Sequence, residues 1–180
     1  GEMNLTAKGT TLNGSILYSS HNNINISSTK LQSQNTYLGA NQTLTVNASQ
    51  NVNVSGSIVK GNTVQLSTAQ DVIIDGTNIV ASDDLIINAE TLHLNNTTLF
   101  AQKTGTINTC IFNNSDSVVS ATQMHINTTI FNNANSHFYS SDVTVKITTD
   151  ILNNNNGLMS SNGDLILDAQ NLDNRYGALD

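Results

Sequence analysis

Proline and tryptophan are both absent from the 180 residues, and cysteine occurs once. Each absence excludes something. Without proline, no position is forced to drop a backbone donor, so long paired strands are open to the whole chain. The lone Cys110 has no intrachain disulfide partner, and stability must come from packing. Aromatic residues make up 4% of the chain, which leaves few rings for a carbohydrate platform. Charged residues make up 11%, well below the roughly one quarter usual in soluble domains. Six Lys and Arg stand against thirteen Asp and Glu, for a net charge of −7. The few cations are scattered, so there is no phosphate track and no expected nucleic-acid partner. No apolar run approaches about 18 residues, so no segment reads as a membrane-inserting helix, and none reads as a signal peptide.

What the chain does have is asparagine, serine and threonine in quantity, and they recur in a pattern. Nine apolar pairs run from end to end: Ile16-Leu17, Tyr37-Leu38, Ile58-Val59, Ile79-Val80, Leu99-Phe100, Val118-Val119, Phe138-Tyr139, Leu158-Met159 and Ala178-Leu179. Counted on the second member, the intervals are 21, 21, 21, 20, 19, 20, 20 and 20. A period near 20 residues marks a solenoid, and it fixes the architecture before any single element is assigned.

Two further markers follow each pair. The first is an apolar-x-apolar triplet, as in Ile24-x-Ile26, Leu44-x-Val46, Val64-x-Leu66, Leu85-x-Ile87, Met124-x-Ile126, Val143-x-Val145 and Leu165-x-Leu167, with a weak copy at Gly105-x-Ile107. The second is Val52-x-Val54, Val72-x-Ile74 and Leu92-x-Leu94, continued by Ile111-Phe112, Ile130-Phe131 and Ile151-Leu152. Period-two alternation over so few residues is the signature of short strands with one buried face. A single unit has nothing to bury that face against. Stacked units do, because equivalent positions then pair as parallel strands about 4.8 Å apart.

The expected fold is therefore all-β: a right-handed parallel β-helix, or solenoid, with roughly 20-residue rungs of three short strands. The right hand follows by analogy with parallel crossovers. About nine rungs give a rod near 40 Å long. Residues 1–180 read as a single β-helix repeat domain, a fragment of a longer rod that would act as a monomer. Three core stacks are expected: Val54, Ile74 and Leu94; Val59, Val80 and Phe100; and Leu66, Ile87 and Ile126 with Ile107 between. The run Asn153-Asn154-Asn155-Asn156 is one copy of a column that includes Ser55-Gly56, Asp75-Gly76, Asn95-Asn96, Asn113-Asn114 and Asn132-Asn133. Such residues suit corners that need positive φ, and stacked carboxamides can hydrogen-bond from rung to rung.

Candidates for chemistry are few. Asp142 and Asp164 precede equivalent strands and could stack as an acid–base pair, with Asp83-Asp84 at a similar corner. As ordinary turn residues they need no such role. His21, His93, His125 and His137 fall on different strands without metal-ligand spacing, and alternation points His93 and His125 outward. No catalytic, cofactor-binding or metal site is assigned. Asn-x-Ser/Thr triplets are as common as so much Asn, Ser and Thr would produce.

The segment from Gly157 to Leu179, with Gly163-Asp164-Leu165-x-Leu167-x-Ala169 and Leu172-Asp173-Asn174, resembles the repeat of filamentous-haemagglutinin-type exoproteins. That family places Gly after Asn-Arg, where this chain has Tyr176. The resemblance implies a segment of the shaft of a large secreted bacterial surface protein, either an adhesin or a contact-dependent growth inhibition exoprotein. It implies export through an outer-membrane secretion partner, and contact with a receptor or glycan on a host or neighbouring cell. The competing class is a β-helix carbohydrate-active enzyme, a polysaccharide lyase or hydrolase. Long cleft-building insertions would mark that class, whereas these rungs vary only between 19 and 21 residues.

Overall fold

A computed structural model of the chain describes residues 1–140 and 144–180; the expected strand residue Val143 and the candidate Asp142 lie outside the described residues. The chain is an all-β parallel solenoid with rungs of about 20 residues. Consecutive turns show its plan. Tyr37–Ala40 lies on one face, and Thr43–Ser55 bends across the other two. In the next turns the three faces carry separate strands: Ile58–Gly61, Thr63–Thr68 and Asp71–Asp75, then Asn78–Ala81, Leu85–Asn88 and Thr91–Asn95. We call these face C, face A and face B in that order. Each strand pairs in parallel with its counterpart one turn away, as Val46↔Leu66 on face A, Val54↔Ile74 on face B and Val59↔Ile79 on face C.

The core is made of stacked inward columns. On face A, Leu66, Ile87, Ile107, Ile126 and Ile147 are register partners in succession, all buried. A neighbouring column contains Leu85, Gly105 and Met124. The weak Gly105 copy has a reason: a side chain there would meet the sulfur and methyl of Met124, which fills the gap left by its neighbour. On face B, Leu92, Phe112, Phe131 and Leu152 stack, and the Phe112 and Phe131 rings are parallel with centroids 4.6 Å apart. Each fully buried aliphatic side chain in these columns contributes roughly 1.5–3 kcal/mol of transfer free energy.

Face C corrects one expected stack. Val59 is buried, but Val80 and Phe100 point outward, and the stack continues instead through Ile79 and Leu99 to Val119. Phe138, not Tyr139, is likewise the buried member of its pair. One residue of phase moves a strand side chain from core to surface. The phase is set by the corner between faces B and C, where one residue per turn has a left-handed backbone. These residues are Gly14, Asn35, Gly56, Gly76, Asn96, Asp116, Asn135, Asn156 and Tyr176, with φ between 46° and 59°. The inward residue of face C always stands three positions later, from Leu17 to Leu179.

Directly after the left-handed residue comes a small polar one. Thr36, Ser57, Thr77, Thr97, Ser117 and Ser136 are all buried there. Each hydroxyl donates to the carbonyl two residues before it, as Thr77 does to Asp75 at 3.0 Å and Ser117 to Ser115 at 3.0 Å. Several also accept a backbone N–H from the preceding turn, as Thr97 N–H donates to Ser117 Oγ at 3.0 Å. In this way buried corners keep their polar groups paired.

Further along the axis, asparagine enters the interior. The column Val54, Ile74, Leu94 is continued by Asn114, and Asn133 and Asn154 occupy the same place in the next turns, all three buried. Each carboxamide donates to the next: Asn114 Nδ2 to Asn133 Oδ1, Asn133 Nδ2 to Asn154 Oδ1, and Asn154 Nδ2 to Asn174 Oδ1, all at 2.7 Å. The same amides donate to main-chain carbonyls, Asn133 to Leu158 at 3.2 Å and Asn154 to Ala178 at 3.1 Å. The rung-to-rung asparagine bonds expected from sequence are therefore present, but inside the corner. The left-handed residue stands two positions later, at Asp116, Asn135 and Asn156. Gly157 and Gly177 replace the corner hydroxyl in the last turns, because a Cβ there would collide with an Asn carbonyl and an amide oxygen of the ladder.

Candidate binding face

Of the candidate carboxylates, Asp83, Asp84 and Asp164 lie among the described residues. Asp164 is exposed and its register partner is Thr144; Asp142 lies outside the described residues. Asp83 is held by Lys103, with Nζ 2.6 Å from Oδ1. The hydrogen bond and the charge of Asp83 raise the Lys103 ammonium above its ordinary value. Asp84 Oδ1 accepts the Thr104 N–H at 3.3 Å. Asp83 and Asp84 are thus engaged by an ammonium and a backbone amide, the roles of corner residues.

The histidines stay apart. His21 shares a hydrogen bond with Ser20 Oγ at 2.7 Å, and His93 Nδ1 lies 3.3 Å from Asn113 Nδ2. His93 is exposed and His125 half-buried on the outer side of face A. Among the described residues no group of three or more His, Cys, Asp or Glu side chains is placed to hold a metal ion. Cys110 is an exposed free thiol. The Glu90 carboxylate beside it, with some burial, raises its pKa and disfavours the reactive thiolate.

The outward surfaces of the three faces differ in chemistry. Face A presents largely neutral polar columns, including the ladder in which Asn127 Nδ2 donates to Asn108 and Asn108 Nδ2 to Asn88, both at 2.9 Å, with Lys146 and Ile166 exposed toward its end. Face B shows Asn, Asp, Gln and Thr, with Asn95 donating to Asp75 at 2.7 Å, and also Ile73 and Ile151, exposed at 37 and 43%. Face C differs in carrying aromatic rings. Its outward positions hold Tyr18, Tyr37, Phe100 and Tyr139, together with Ile16, Ile58 and Val118 exposed at 79, 42 and 40%. Three of the four tyrosines of the chain are on this one face. Sparse aromatics in the composition hid their concentration; the outward phase of face C, set by the left-handed corner, is the sequence signal that locates them.

Among the concavities formed by the described residues, two can be compared. One, of about 320 Å³, is lined by Thr11, Leu12, Asn13, Gln32, Ser33, Gln34, Asn53 and Ser55, with neither charge nor ring. The other, of about 280 Å³, opens on face C and its edge, where Tyr18 and Tyr37 stand over Gly39 and beside Lys60. The two rings meet edge to face, with centroids 6.0 Å apart and planes inclined at 61°. Gly39 is the register partner of Tyr18 on one side and Lys60 on the other. A Cβ at Gly39 would lie 2.7 Å from Tyr37 Cε1 and 3.1 Å from Tyr18 Cδ2, so glycine lets both rings settle on the backbone. Lys60 is exposed and, unlike Lys103 and Arg175, makes no salt bridge among the described residues.

Comparison with known proteins gives this geometry no relative to lean on: no family model matches the chain, and neither a curated protein nor a solved structure is significantly similar to it.

Proposed function

We propose that this chain is a shaft segment of a large secreted bacterial surface exoprotein of the filamentous-haemagglutinin type, structural in the main and adhesive along one face. On this reading it is exported through an outer-membrane partner, holds a functional domain away from the cell, and contacts a host or neighbouring cell without turnover. The observation that carries it is the constancy of the rung. The nine left-handed corner residues are spaced by 19 to 21 positions, and no insertion between described strands builds a walled cleft. Each rung adds about 4.8 Å of reach, and uniform stacking gives a stiff prism. A weak site on such a prism gains strength by repetition along a longer protein.

The test is a screen of the purified chain against acidic and neutral polysaccharides, with Asp164→Asn, Asp142→Asn and Asp83→Asn variants alongside. The shaft reading expects no cleavage by any of them. Cleavage by the wild-type chain that one of these substitutions abolishes would establish the β-helix enzyme in its place.

A further inference from the structure

We propose that the notch at Gly39 is a binding site for one anionic pyranose unit of a glycan. The proposal extends the adhesive half of the shaft reading and names its ligand class. The buried backbone of Gly39 seats the two rings, since any side chain there would strike them, and Ala40, Gly61 and Val80 line the cavity beside them. Tyr18 and Tyr37 form one wall; Tyr18 is 49% exposed and presents an apolar face with a polar tip. Lys60, from the next rung, lines the same cavity. Asn41 and Asn62 line the same cavity, and both are exposed.

These groups suit a sugar better than other small ligands. A pyranose has an apolar C–H face for an aromatic ring and equatorial hydroxyls for carboxamides, the usual division of labour in small-ligand sites. The cavity of about 280 Å³ falls just short of the range of such sites, which starts at about 300 Å³, so it accommodates a single residue of a longer chain. Lys60 supplies the selectivity. In a chain of net charge −7, an exposed ammonium without a salt bridge among the described residues can meet a ligand's anion. The anion on the sugar is a carboxylate or a sulfate ester, and the probes below separate the two.

The experiment is a chemical-shift titration of the isotope-labelled chain with tri-galacturonate, a sulfated galactobiose and maltotriose. At least one of the two anionic probes is expected to perturb Tyr18, Tyr37 and Lys60 at millimolar concentration, and maltotriose to bind more weakly. Lys60→Gln, at an exposed position, should weaken the anionic probe about tenfold and leave maltotriose unchanged. Gly39→Ala, which pushes both rings off their seat on the backbone, should weaken all three, with circular dichroism confirming the fold. Equal binding of neutral and anionic probes, shifts confined to another face, or no shift with any probe would overturn the assignment. Such a failure leaves the shaft reading intact, since that reading falls only to turnover.

Discussion

Tyr176 sits in a left-handed conformation at φ 59° with its side chain 91% exposed, so no packing offsets the strain of a Cβ there. Glycine occupies the same corner at positions 14, 56 and 76. Tyr176→Gly is therefore expected to stabilise the chain by about 1 kcal/mol, read as a raised denaturant midpoint. An unchanged or lowered midpoint would mean that the corner carries no such strain. Cys110 provides a second residue-scale test. The charge of Glu90, then burial and a hydrogen bond, hold its thiol protonated above the ordinary range. Near neutral pH it should react with iodoacetamide more slowly than a free cysteine, and Glu90→Gln should accelerate it several-fold. A rate that does not respond to Glu90→Gln would remove the carboxylate from the explanation.

At the scale of the element, the asparagine ladder has a middle and an end, and they should not behave alike. Asn133 bonds to an amide on either side, whereas Asn114 faces Leu94 and its buried Oδ1 has no partner among the described residues. Replacing Asn114 with Leu moves that unpaired carbonyl to Asn133 and adds an aliphatic to the column, for a net change within about 1 kcal/mol. Replacing Asn133 with Leu splits the ladder and strands Asn154 Oδ1, and should cost about 2–3 kcal/mol. Equal costs in chemical denaturation would contradict the ladder. This element also marks what sequence could reveal. The period, the three faces and the columns of faces A and B were legible because apolar alternation reports one buried side directly. Face C was misphased at Val80 and Phe100, because an apolar pair does not say which member faces in; the Asn/Gly-then-Ser/Thr corner does. Asn114 read as a corner because asparagine is rarely interior, and only stacking supplies its partners. The notch at Gly39 stayed hidden because Tyr18, Gly39 and Lys60 are neighbours through register and not along the chain.

At the scale of the whole molecule, every rung leans on its two neighbours and on nothing more distant. Stability is then close to a sum of rung and interface contributions. The sharpest test is to remove a complete rung and compare it with half of one. Deleting the twenty residues 77–96 joins Gly76 to Thr97 and preserves the left-handed corner, its hydroxyl and the spacing to Leu99. Val59 would then stack on Leu99 and Leu66 on Ile107, apolar on apolar. Deleting residues 77–86 joins Gly76 to Ile87 and removes the face C strand Asn78–Ala81 while leaving face B in place. Circular dichroism with thermal unfolding, backed by a crystal structure of the shortened chain, decides the matter. The stacked-rung account predicts that the full-rung deletion folds cooperatively as a parallel solenoid about 4.8 Å shorter, while the half-rung deletion fails to fold. A full-rung deletion that unfolds, or a half-rung deletion that folds equally well, would contradict it.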